Sequence, residues 1–368
     1  MSPRVAYWTS AFEPEMEAIA AEVATLRRRF PASTCWGLSH RHWMLLSRRR
    51  GICLHPRLHL LFRAFTRLWE PKFDLNHIFG SLGDWFYLQG ARVRPTVLTV
   101  AERSRRIERE LLERVDRFVA ECPSVRQDLL KIGIESDRIR LIYPPVDLTR
   151  YSPARPPDGP FTALFASSPD RADWLESRGV HLVLDAAAMR PGMRFRLLWR
   201  PWGDSARRVR QWIAERNLQN VELIVGCVRD MPAEYNRAHV VLAPFTDTHR
   251  SKPAPNSLTD SLACGRPVVT TPVVGLAGII REHGAGLVSE PSGAAIAECI
   301  DRLQAEWQPY SRRARRLAEQ HFSLEKFLGG YERLYAELLP NSRRAWNHRS
   351  RRRSSESVGN PSDSLAAV

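Results

Sequence analysis

The chain reads as a doubly wound α/β protein in two domains, and three observations carry that reading. Strand-like and helix-like patterns alternate nearly throughout, as parallel sheets joined by crossover helices require. A proline-dense stretch with Pro144, Pro145, Pro153, Pro156, Pro157 and Pro160 interrupts the alternation and forms a stiff connector. The length, 368 residues, exceeds one ordinary core and suits two. The expected division is a first domain over residues 1–150, a second over 151–323 and a closing helix over 324–340. An Arg- and Ser-rich tail without periodicity, 341–368, is expected to be disordered.

The elements follow in order. Val5–Thr9 is the first strand. A helix from about Pro14 carries Met16, Ile19, Val23, Leu26 and Phe30 at helical spacing, with Glu13, Glu15 and Glu17 as acids of its first turn. Strands are expected at Leu75–Phe79, Thr96–Val100 and Phe118–Ala120. Ser124 and Gln127 form a capping box for a helix over Val125–Lys131, closed by Gly133. Ile139–Tyr143 is the last strand before the connector. Beyond it come strand Thr162–Ala166, helix Val180–Met189, strand Phe195–Trp199, helix Arg207–Arg216, and strands Glu222–Val225 and Val240–Ala243. A helix at about Leu258–Cys264, strand Val268–Thr271 and helix Leu324–Leu339 complete the series.

Composition narrows the function classes. Hydrophobic content of 43% and charged content of 26% are those of a globular protein. No apolar run is long enough to span a bilayer, and no secretory segment precedes the first strand, so a cytoplasmic location is expected. The six cysteines lack metal spacing and read as buried thiols. The net charge of +15 comes from 55 basic residues, only four of them lysine (72, 131, 252 and 326), spread evenly rather than in one patch. Without a recognition motif, that charge points to anionic lipid or phosphorylated substrates rather than nucleic acid.

The segment richest in chemistry is Lys252-Pro-Ala-Pro-Asn-Ser-Leu-Thr-Asp-Ser-Leu-Ala-Cys-Gly-Arg-Pro-Val-Val-Thr-Thr. It reads as a loop, a short helix starting at Asn256-Ser257, a Gly265/Pro267 stop and a buried strand. Free N–H groups at a helix start make an anion site, so a diphosphate is expected over Asn256, Ser257 and Leu258. Asp260, one turn in, can accept from ribose hydroxyls. The same residues also fit a plain capping box between Ser257 and Asp260.

The run from Asp260 to Val269 resembles the Glu-Ala-Leu-Ala-x-Gly-x-Pro-Val-Val segment of family 4 retaining glycosyltransferases. Cys122-Pro-Ser-Val-Arg-Gln-Asp-Leu, Ile139-Arg-Leu-Ile-Tyr-Pro-Pro-Val-Asp147 and Tyr151-Ser-Pro are similar to the family's passage into its second domain. Arg178-Gly179-Val-His-Leu-Val-Leu-Asp-Ala resembles its Lys-Gly-x-x-x-Leu-x-x-Ala. The resemblance is specific over residues 115–340 and thin before them. It implies a GT-B fold, two Rossmann-like domains facing a cleft, with the closing helix packed back on the first. Arg178 would bind donor phosphate, Asp260 the donor ribose, and the loop at Cys227 and Val228 the base.

Two departures stand out. Lys252 occupies the place of an acid that usually contacts the transferred sugar, and Ser167 that of a phosphate-binding arginine. Linked changes are expected, with Lys252 supplying the missing positive charge on the leaving diphosphate and Arg200, after a strand, assisting it or forming a surface ion pair. In the first domain His77, at a strand's C-terminal end, is a candidate for acceptor contact or a satisfied core histidine. Glu102, beside Ala101 where the family often has a His-Asp pair, either orients the acceptor hydroxyl or merely starts a helix.

Residues Trp43–Trp69 interleave arginines with leucines and aromatics, as a helix docked on its own sheet or a basic surface lying on an anionic membrane does. The resemblance therefore implies transfer of a hexosyl or related unit from a UDP- or GDP-sugar to a glycan or lipid-linked acceptor, with retention. Neither cofactor nor metal is expected. A nucleotide-sugar epimerase on the same fold and a catalytically lapsed nucleotide-sugar-binding protein are the alternatives.

Overall fold

The structure, a computed structural model, describes residues 2–247 and 252–339. The tail expected from Asn341 lies outside the described residues. In the first half the strands are β1 (Val5–Trp8), β2 (Thr34–Leu38), β3 (Met44–Ser47), β4 (Gly51–Leu54), β5 (Leu75–Gly80), β6 (Thr96–Val100), β7 (Arg117–Ala120) and β8 (Ile139–Leu141). They form one eight-stranded sheet, ordered β3-β4-β2-β1-β5-β6-β7-β8. Every pairing is parallel except the β3–β4 hairpin at the edge. Beyond the proline-dense connector lie β9 (Thr162–Phe165), β10 (Arg194–Trp199), β11 (Val221–Val225), β12 (Val240–Ala243), β13 (Val268–Thr270) and β14 (Gly286–Val288). They form an all-parallel sheet ordered β11-β10-β9-β12-β13-β14.

Both sheets are doubly wound, as expected. Strand order reverses between β1 and β5 in the first and between β9 and β12 in the second. Reversal points open a crevice beyond the strands' C-terminal ends, where α/β proteins bind ligands. One core cluster runs from Trp8 and Leu98 through Cys122 and Val146 to Leu164, Leu258 and Leu276, so apolar packing is continuous from sheet to sheet. The helix Leu324–Leu338 returns to the first sheet, where Phe327, Tyr331 and Tyr335 join the cluster of Tyr7, Phe79 and Val97.

Several expectations need correction. The first helix spans Ala18–Arg29, because Glu17 is its N-cap residue and its carboxylate accepts from the N–H groups of Phe12 and Glu13. The helix Pro123–Lys131 starts behind Cys122 without the Ser124 capping box. The stretch from Trp43 is not one amphipathic unit but the β3–β4 hairpin followed by a helix over His59–Trp69. Cys227 is exposed, not a buried thiol.

Candidate functional site

The C-terminal ends of the two sheets enclose a groove of about 780 Å³, lined from the first half by residues 14–18 and from the second by the ends of β9, β10 and β11. A smaller recess of about 230 Å³ shares Met16, Glu17, Arg200, Asn256 and Ser257 with it and adds Glu102, Arg178, Trp202 and Lys252. The combined volume is that of a site for a ligand the size of a nucleotide with an added group.

The second sheet builds the wall that carries Arg178 and Arg200. Gly179, at φ 68°, starts the helix Val180–Met189, and a Cβ there would lie 1.9 Å from the Pro244 carbonyl oxygen. Only glycine allows this approach, and it sets the preceding Arg178 beside the end of β12. The Arg178 guanidinium lies 5.1 Å from the centre of the Phe245 ring. Desolvation, then the neighbouring Arg200, lowers its pKa to about 10. Burial likewise lowers Arg200, whose guanidinium lies 5.0 Å from the Trp202 ring. Among the described residues no carboxylate forms an ion pair with Arg200, which removes the surface-pair alternative. At Arg178 the nearby carboxylates of Glu102, Asp170 and Asp247 offset part of that lowering.

Opposite them begins the helix Asn256–Ala263. Its N-cap residue is Pro255, and no side chain caps it, so the Ser257–Asp260 capping box is not formed. The Ser257 hydroxyl instead meets the Ser167 hydroxyl at 2.8 Å. Leu258 must be withdrawn from the phosphate set, because its N–H donates to the Pro255 carbonyl at 3.0 Å and its side chain is fully buried. Asn256 and Ser257 remain at the groove. Asp260 lines it one turn further, with Cys227 and Val228 on the loop after β11. Burial pushes the Asp260 carboxyl up to about 8, against the pull of Arg150 and Lys252, and Tyr151 hydrogen-bonds to it.

Two residues are placed differently from expectation. His77 lies in the middle of β5, fully buried, with Nδ1 2.6 Å from the Tyr335 hydroxyl and Nε2 2.7 Å from the Thr99 hydroxyl. Both ring nitrogens are spent fastening the last helix to the sheet, and burial holds the imidazole well below its usual pKa. It is the satisfied core histidine, out of reach of any acceptor. Lys252 borders the recess, but its ammonium is paired with Glu22 and, at 3.2 Å, with Glu121. Those carboxylates neutralise it, so it is not the spare positive charge expected beside Ser167. Glu102 is exposed in the recess, and its N–H donates to Gly80 O at 3.2 Å.

Sequence reasoning missed Glu17 and Trp202, which line these cavities, whereas Tyr235, also at the groove, lies in the segment Met231–Tyr235 that resembles the family's base-binding loop. It also missed Arg41, whose guanidinium lies 3.9 Å from the Trp202 ring and bridges the two halves. In the sequence Glu17 looks like no more than a helix-start acid. Trp202 and Arg41 carry no signal of their own.

Two facing doubly wound sheets with a cationic groove along their C-terminal edges constitute the GT-B arrangement. The model of Glycosyltransferase Family 4 matches residues 19–150 and that of Glycosyl transferases group 1 matches residues 169–306. No curated protein sequence matches the chain. Among solved structures, Anabaena HepE in complex with UDP and glucose is similar at TM-score 0.74 and 14% identity, covering 91% of this chain and 100% of that one. A glycosyltransferase from Rickettsia africae gives TM-score 0.72 and 17% identity, covering 93% and 100%. WaaG, a glycosyltransferase involved in lipopolysaccharide biosynthesis, gives 0.63 and 15%, covering 91% and 99%. The chain belongs to the family 4, group 1 glycosyltransferases.

Proposed function

We propose that the chain transfers a sugar from a nucleoside-diphosphate sugar, with UDP the first nucleotide to test, to a glycan or lipid-linked acceptor, with the retention expected of its family. The observation that carries the donor assignment is the pairing of Arg178 and Arg200 with the uncapped helix start at Asn256–Ser257 around one groove. A diphosphate there is held by two guanidiniums and backbone N–H groups, the donors that gain most as charge develops on a departing oxygen. The loop at Cys227 and Val228 meets the base and Asp260 the ribose. Glu102, across the recess, orients the acceptor hydroxyl. Its proton passes to the leaving phosphate oxygen, so this account uses neither a side-chain nucleophile nor a metal. The Anabaena structure, which holds UDP and glucose, supports UDP.

Thermal shift with UDP-, GDP- and ADP-sugars, followed by nucleoside diphosphate release from the best binder, tests the reading. Stabilisation by one donor and acceptor-dependent release are expected. Conversion of the sugar without acceptor would instead identify an epimerase, and binding without release a lapsed enzyme.

The acceptor side faces a surface suited to anionic lipid. The helix His59–Trp69 buries Phe62 and Thr66 against the sheet and turns Leu61, Ala64 and Leu68 outward. Leu60, Leu61 and Leu68 are each more than half exposed, as are Trp43, Met44 and Leu46 of the adjoining hairpin. Exposed Arg57 and Arg67 flank them. Apolar side chains rimmed by arginines enter the boundary between headgroups and acyl chains, with the cations on the phosphates. No described helix is long and apolar enough to cross a membrane, so contact would be peripheral. Co-sedimentation with vesicles of anionic against zwitterionic lipid checks this, with binding expected only to the first.

A further inference from the structure

The structure assigns Lys252 a task other than ligand binding: we propose that it is a positioning residue, the cation of a buried ionic latch. The latch holds the two sheets closed over the groove and ties that closure to the helix start at Asn256. The link to the diphosphate rests on the donor reading above; the latch itself does not.

Three observations carry it. First, the partners of Lys252 come from the opposite half. Glu22 sits on the helix Ala18–Arg29 and Glu121 directly after β7, and each is about 1% exposed. Burial opposes the charge on Lys252, but Glu121 and Glu22 outweigh it and raise the lysine above its usual pKa. Burial and then Glu22 push Glu121 well above the usual carboxylate range. Parting the halves gives up this pairing across the seam, and removing one partner alone leaves the others buried and uncompensated.

Second, Lys252 reaches the groove through another residue. Its ammonium donates to the Asn256 side-chain oxygen at 3.1 Å, so the ion that joins the halves also fixes the first residue of the helix.

Third, the seam beside the latch has no slack. The Gly275 N–H donates to Pro253 O at 2.9 Å, and a Cβ at Gly275 would lie 2.3 Å from Cys122 Sγ and 2.9 Å from Ser124 Oγ. Cys122 and Ser124 follow Glu121 in the chain, so closure at the latch and closure at the seam are one contact.

The test is small-angle X-ray scattering of the full chain with and without UDP, with UDP affinity measured by calorimetry. Wild type is compared with Lys252→Met and with the neutral triple variant Glu22→Gln/Glu121→Gln/Lys252→Met. Wild type keeps one radius of gyration with and without UDP. Both variants expand when ligand-free, contract on UDP, and bind it about tenfold more weakly, the usual size of such coupling. Lys252→Met also melts at lower temperature, whereas the triple variant, with no stranded charge, melts near wild type and still expands. That combination separates a latch from a merely structural ion pair. A folded triple variant with wild-type scattering and affinity would overturn the proposal. If wild type does not bind UDP, the donor reading fails, and the scattering of the ligand-free proteins alone decides the latch.

Discussion

The two lips of the groove differ in chemistry. On the second sheet's side stand Arg178, Arg200 and an uncapped helix start. On the first sheet's side of the recess stand Met16, Glu17, Ala18 and Glu102, with carboxylates and no lining cation, while Arg28 and Arg49 line the wider groove away from it. The outer face of the first half, by contrast, is apolar and basic. One lip is built to hold concentrated negative charge at a defined point; the other leaves room for hydroxyls and delegates recruitment to a surface. Donor recognition should therefore be sensitive to single charges, and acceptor recognition to shape and location.

That contrast can be broken most sharply on the cationic lip. Arg178→Ala/Arg200→Ala should lose roughly a thousandfold in kcat/KM, since each charge-assisted hydrogen bond is worth about 1.5–3 kcal/mol. Its vesicle binding should stay at the wild-type level. The converse variant, Leu61→Ser/Leu68→Ser, should bind anionic vesicles roughly a hundredfold more weakly, at about 1.5 kcal/mol or more per buried leucine, with UDP affinity unchanged. If either variant impaired both measurements, the division of labour between the lips would be wrong. Glu102→Gln should lower kcat about tenfold while leaving donor KM in place, as expected when a group orients the acceptor alone.

The smallest effect concerns Asp260. Its folded pKa, about 8, lies above the ordinary carboxyl value, so the folded protein holds a proton that the unfolded chain releases. The stability linked to it is complete below pH about 4 and is lost as pH rises through about 8. Chemical denaturation at several pH values should show this decline, and Asp260→Asn should flatten it.

Where the sequence was informative follows from the reach of each interaction. The second sheet was legible because strands buried on both faces, such as Val240–Ala243, are uninterrupted apolar runs, and because Gly179 and the segment after Pro255 act locally. The edge strand Met44–Ser47 and its neighbour Gly51–Leu54 are not legible because they are four residues long and set among arginines. His77 was ambiguous because its partner Tyr335 lies 258 positions away. The same holds for Lys252, whose loop says nothing of Glu22, 230 positions earlier. A charge gained at a known position was visible; the carboxylates that cancel it were not.

The account depends above all on where a pyrophosphate sits, and a crystal structure of the full chain grown with UDP measures that directly. Its phosphate oxygens should lie within hydrogen-bonding distance of the Arg178 and Arg200 guanidiniums and of the backbone N–H groups at Asn256 and Ser257. UDP bound elsewhere, with both arginines turned from it and that helix start facing only solvent, would contradict the account.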